Sequence, residues 1–154
     1  MRAKRGFTLV EILIVVVILG ILAAIVIPQF TDASTEAKTS SLCSDLQTFR
    51  SQIELYKIQH TDALPHTTTM TGGLVDAMTK QSDAVGAAYT ASSTTGPFGP
   101  YLQKIPKNAF NGSTTIAQGT AAQADIPVSA TTGWYYNTNT GAINACDSAE
   151  HKVL

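Results

Sequence analysis

The chain has 154 residues, 44 % hydrophobic and 14 % charged, which leaves room for one modest domain and an apolar segment outside water and excludes two large domains. Ten Lys and Arg against eleven Asp and Glu give a net charge of -1, so there is no basic field to hold nucleic acid. The apolar residues are placed so unevenly that the chain has to be read in pieces.

Residues 1 to 6 carry Arg2, Lys4 and Arg5 and no acid, and an apolar run then extends from Phe7 to Ile27. As a helix those residues would span roughly 31 Å, about the hydrocarbon thickness of a bilayer. The cations before the run and the acids Asp32 and Glu36 after it place the N-terminus in the cytoplasm. A secretory signal would end in a small-residue cleavage site, but Ala23 and Ala24 are followed by Ile25, Val26 and Ile27, so the anchor reading is the stronger. Glu11 interrupts the apolar run, and a carboxylate near the centre of a spanning helix costs roughly 2.5 to 3.5 kcal/mol, so it calls for a partner. No cation lies between Arg5 and Lys38. Cutting after Gly6 would supply one, because the new ammonium of Phe7 lies one helical turn from Glu11, in its own chain or a neighbour's.

Arg5-Gly6-Phe7-Thr8-Leu9-Val10-Glu11 and the apolar run behind it resemble the prepilin processing motif of type IV pilins and type II secretion pseudopilins. The resemblance implies that a membrane-embedded peptidase cuts after Gly6 and methylates the amino group of Phe7, and that Glu11 serves assembly. It further implies a homo-oligomeric filament, an inner-membrane assembly platform with a cytoplasmic ATPase, minor pseudopilins, and a single-pass subunit whose head lies in the periplasm before it joins an extracytoplasmic filament. Gly99-Pro100-Tyr101-Leu102-Gln103-Lys104-Ile105-Pro106 resembles a stretch of the major pseudopilin, which tilts the expectation to that branch. The calcium-binding acidic loop of many of those proteins has no clear counterpart; Asp147 and Glu150 read as solvated surface charges, and no metal or cofactor is expected. The expected parts are a leader (1–6), a membrane and filament-core half-helix (7–30), an amphipathic half-helix (31–60) and a globular head (61–154).

Gly20 and Pro28 are weak points in a helix, costing about 1 and about 3 kcal/mol in a regular interior, and mark a hinge; the alternative is that a spanning helix simply tolerates them. Beyond Pro28, Leu42, Leu46, Phe49, Ile53 and Tyr56 fall at helical spacing and predict a core-facing stripe. Leu55 and Ile58 lie on the opposite side, as subunit contacts or as ordinary exposed apolar residues.

In the head, Asp62 to Gly73 reads as a connection, Leu74 to Lys80 as a short helix, Ala87 to Gly99 as a loop, Tyr101 to Ile105 as a short extended piece and Asn108 to Ser113 as a turn. Trp134-Tyr135-Tyr136 and Ala142-Ile143-Asn144 predict a hairpin, with another strand near Thr114 to Ala117 or Ile126 to Ser129. A long helix followed by a small antiparallel sheet with extensive loops argues for an α+β fold, which the resemblance implies is pilin-like.

No nucleophile, phosphate loop or metal-ligand spacing appears, so no enzyme activity is expected. His60, His66 and His151 read as surface residues, and Asn111-Gly112-Ser113 matches a glycosylation sequon only as a weak pattern. Cys43 and Cys146 read as a disulfide permitted by export, closing a loop worth about 4 kcal/mol; the alternative is two separate buried thiols. The function expected is a structural subunit of a type II secretion pseudopilus. The rivals are a type IV pilin for adhesion, motility or DNA uptake and a single-pass anchored periplasmic binding domain.

Overall fold

The computed structural model describes residues 6–67, 70–88 and 97–154. Two helices, α1 (Leu9–Gln59) and α2 (Gly73–Thr79), precede three strands, β1 (Ile116–Gly119), β2 (Trp134–Asn137) and β3 (Ile143–Ala145), with short 3₁₀ turns at Pro65–Thr67, Gln123–Asp125 and His151–Val153. The leader cations Arg2, Lys4 and Arg5, and most of the loop expected over Ala87 to Gly99, lie outside the described residues. The chain divides into two compact units, Met1–Lys38 and Thr39–Leu154.

In the first unit α1 runs unbroken through Gly20 and Pro28. The segment between them, expected to unwind most readily, is helical in the isolated chain. In the second unit the predicted stripe is the part of α1 that is buried, Leu42, Leu46, Phe49, Ile53 and Tyr56 each being at most 1 % exposed. Thr61 and Asp62 adopt positive φ beyond the helix end, and the turned backbone lets the Asp62 N–H donate to the Lys57 carbonyl at 2.8 Å.

The stripe packs against Leu74, Ala77 and Met78 of α2 and against Trp134, Tyr136, Ile143 and Ala145 of the sheet. Trp134 meets Phe49 edge-on at 5.9 Å between ring centres, and its Nε1–H donates to the Pro106 carbonyl at 2.9 Å. The hairpin forms as predicted, with Trp134 opposite Ala145 and Tyr136 opposite Ile143. Its turn is held by Asn137 Oδ1, which accepts from the N–H groups of Asn139 and Thr140. Gly141 completes the turn at φ +75°, where a Cβ would meet Leu64 at 2.6 Å.

Two expectations need correction. The sheet is mixed, because β1 pairs with β2 in parallel, Ile116 beside Trp134. The connection between them, with its 3₁₀ turn at Gln123–Asp125, is long enough to carry the chain back to the starting end, as a parallel pair requires. Tyr101 to Ile105 is not a strand: the N–H groups of both Tyr101 and Leu102 donate to the single carbonyl of Met78, which binds the segment to the end of α2 in place of a ladder. Of the two places proposed for a third strand, the first is the one that forms.

Candidate assembly site at the start of the helix

Thr8 precedes the first helical residue, and its side chain and that of Glu11 close on each other. Thr8 Oγ1 accepts from the Glu11 N–H at 3.2 Å, while Glu11 Oε2 accepts from the Thr8 N–H and from the Thr8 hydroxyl, each at 2.8 Å. This is a capping box, in which a Thr before the helix and an acid three residues later satisfy backbone donors that the helix leaves unpaired. Glu11 therefore has partners within the uncut chain, without a cation. The Thr-x-x-Glu pattern ahead of an apolar run is the local sequence signal for it. The box spans the start of α1 just behind the Gly6–Phe7 bond, and its three hydrogen bonds run between Thr8 and Glu11.

Behind the box every large apolar side chain from Leu9 to Phe30 is more than half exposed. By length and composition the helix is a candidate membrane span, and none of its most apolar stretch is buried in the chain. A Cβ at Gly20 would meet nothing within 4 Å, so no contact within the chain demands a glycine there.

These features invite comparison with known proteins. A family described as the prokaryotic N-terminal methylation motif matches residues 1–27. The type II secretion system core protein G of Klebsiella michiganensis is 30 % identical over 126 residues, 81 % of this chain and 82 % of that protein. The Vibrio cholerae protein of the same name is 28 % identical over 143 residues, covering 92 % and 90 %. The chain belongs to the type II secretion system core protein G family. A fimbrial protein of Pseudomonas aeruginosa is 43 % identical over 54 residues, 35 % of each chain. No solved structure matches the chain.

Within this member of the core protein G family the remaining expected residues separate. Cys43 and Cys146 are free thiols, not a bridge. Cys43 is exposed, one residue beyond the buried Leu42 and so about 100° round the helix from the core stripe. Cys146 follows Ala145, and the alternation of the strand turns it to the other sheet face, where it packs with Ile126 and Tyr135 and its thiol donates to the Thr132 carbonyl at 3.3 Å. Burial, with Asp147 nearby, pushes the Cys146 thiol up to about 11.

The histidines are not all at the surface. His60 is 1 % exposed, stacked on Tyr56 at 3.8 Å, with Nδ1 at 2.9 Å from the Tyr56 carbonyl and Nε2 at 2.9 Å from Ser82 Oγ. The carbonyl can only accept, so Nδ1 carries a proton and donates to it. His66 is half-buried beside Tyr136, and burial lowers its pKa. Asp147 is not a solvated charge: its oxygens accept from Asn108 Nδ2 and pair with His151 Nδ1, both at 2.6 Å, tying the tail to the turn at Asn108 to Ser113. Glu150 is exposed as expected. Among the described residues no cluster of His, Cys, Asp or Glu has metal-site geometry. Asn111 of the sequon is engaged, donating to the Thr132 carbonyl at 2.8 Å and accepting from the Ser113 N–H.

Proposed function

We propose that the chain is a non-catalytic, repeating subunit of a type II secretion pseudopilus. The observation that carries this reading is the uncovered apolar half of α1, capped by Thr8 and Glu11 at the very junction where the methylation motif lies. Such a surface is stable in lipid, or packed against identical helices, and in neither case needs a cavity or a nucleophile. Prepilin peptidase removes residues 1 to 6 after Gly6 and methylates Phe7, leaving seven cations against eleven acids in the mature side chains, a net -4. The subunit waits in the inner membrane with its head in the periplasm. An inner-membrane platform and its ATPase then move it into the filament beside minor pseudopilins.

In the bundle, the Phe7 ammonium of an incoming subunit meets the Glu11 carboxylate of one already placed, and attraction in low dielectric favours one axial offset. Gly20 and Pro28 supply the weak points at which the helix adjusts to its neighbours. Intact-mass analysis of membrane-extracted protein is the test. The expected result is loss of Met1 to Gly6 with one added methyl group, in a protein that shears from cells as filaments. An uncut monomer would overturn the reading in favour of an anchored domain.

A second reading, a surface pilin, draws on the fimbrial match. Deleting the gene separates the two: loss of secretion supports the first, and loss of adhesion, motility or DNA uptake with secretion intact supports the second.

A further inference from the structure

Four of the six Lys and Arg side chains between Thr39 and Leu154 are engaged within the chain. Lys57 pairs with Glu54 and Lys80 with Asp76, Arg50 donates to the carbonyls of Ile143 and Leu154, and Lys152 donates to that of Ala124. Among the described residues, the ammonium groups of Lys104 and Lys107 have no hydrogen bond or ion pair. Both line a shallow groove that also includes Val75 and Thr79 of α2 and Ile105 of the following segment. Two free cations on flexible stems thus stand over an apolar floor.

We propose that this groove receives the Asp32–Glu36 turn of a second copy of the chain. The proposal rests on the filament reading above, since only assembly brings one copy's stem to another copy's head. Asp32 and Glu36 are exposed, without an ion pair in their own chain, and four residues apart, so both carboxylates lie on one side of α1. Ala33 and Ala37 adjoin them, and side chains that small let a helix lie close over Val75 and Ile105. Of the other acids, Glu11 is held in the cap with Thr8, and Asp62, Asp83, Asp125 and Glu150 lie outside α1 and α2 with no second free carboxylate one helical turn away. Glu54 is taken by Lys57, Asp76 by Lys80 and Asp147 by His151, and Asp45 is half-buried. Complementary charge at such a contact sets partner and register more than strength.

The test uses the full chain in cells at matched levels of processed subunit. Neutralising the groove (Lys104→Gln with Lys107→Gln) and neutralising the stem (Asp32→Asn with Glu36→Gln) should each lower filament yield about three- to tenfold. All four changes together should lower it no further than either pair alone, because the two sets remove the same contacts. In a Cys43→Ser background, Glu36→Cys with Lys107→Cys should form intermolecular disulfides in filaments, and about tenfold fewer when Glu11→Leu lowers assembly. A normal yield from the groove variant, fully additive losses, or filaments without cross-links would each overturn the proposal and leave the filament reading standing. An unchanged yield with weaker binding to phosphatidylglycerol vesicles would overturn it in favour of a lipid headgroup. A wild-type chain that never assembles would overturn both readings.

Discussion

Along the single helix α1, Leu9 to Phe30 hold every large apolar side chain more than half exposed, whereas Leu42 to Tyr56 bury five such side chains almost completely. The difference lies in the pattern, since the first stretch is apolar all round and the second buries a 4, 3, 4, 3 stripe. An all-round apolar helix can be covered only by something that surrounds it, lipid or other helices, while a stripe is satisfied by one small sheet and a short helix. The two halves should therefore respond independently to mutation: changes in the head should alter folding, and changes in the stem should alter assembly.

The largest effect should come from Trp134→Ala. It removes the biggest fully buried side chain of the head, opens a cavity beside Phe49 and leaves the Pro106 carbonyl without its donor. A loss of about 3 to 5 kcal/mol is expected, read as a lower thermal midpoint and a protease-sensitive head, with membrane insertion unchanged. Glu11→Leu should do the opposite. The head keeps its melting behaviour and the subunit accumulates, but filament yield falls about tenfold or more, equivalent to about 1.4 kcal/mol or above. Near-normal filaments from Glu11→Leu would reduce Glu11 to a cap and break the contrast between the halves.

Much of this contrast was legible in the sequence because hydrophobic periodicity is a local signal. The apolar block, the core stripe, the short helix after Gly72 and the hairpin at Trp134 were all read from spacing and turn residues. What escaped depended on partners distant in sequence. The parallel β1–β2 pairing is decided by how a long connection returns, and the failure of Tyr101 to Ile105 to form a strand is decided by one carbonyl at the end of α2. His60 was misplaced because nothing nearby in sequence announces that Ser82 and Tyr56 enclose it. The Thr8–Glu11 box differs, since its whole pattern lies within four residues and depends on no distant partner.

That box gives a smaller prediction. Thr8→Val removes the hydroxyl that serves both the Glu11 N–H and the Glu11 carboxylate, while the backbone bond to the carboxylate stays. The cost at the helix start should be about 1 kcal/mol, and filament yield should fall several-fold, less than for Glu11→Leu, with cleavage at Gly6 retained. In the head, alkaline pH should act alone. Burial raises the Cys146 thiol from 9.0 to about 11 and the Tyr101 hydroxyl from 10.0 to about 12. Groups whose pKa is raised by folding stabilise the protein fully below the unfolded value, and that contribution is lost as pH rises toward the folded one. The thermal midpoint of the head should therefore hold up to about pH 9 and decline above it.

The smallest expected effect belongs to Cys43, and it is informative because a bridge would make it large. A disulfide to Cys146 would close a loop of about a hundred residues and contribute on the order of 4 kcal/mol in the chain-entropy model. The structure gives Cys43 no such role: it is an exposed thiol, while Cys146 faces away from the helix on the far side of the sheet. Cys43→Ser should thus change head stability by no more than about 0.5 kcal/mol, as for other surface substitutions. In the native protein an alkylating reagent should modify Cys43 rapidly and Cys146 only after unfolding, because the second thiol is both buried and held protonated. A stability loss of several kcal/mol in Cys43→Ser, or protection of both thiols in protein extracted from cell membranes, would restore the bridge. It would also mean that the head turns β3 or the helix from the arrangement described, since the strand's alternation keeps Cys146 from the helix as long as Ile143 and Ala145 face it.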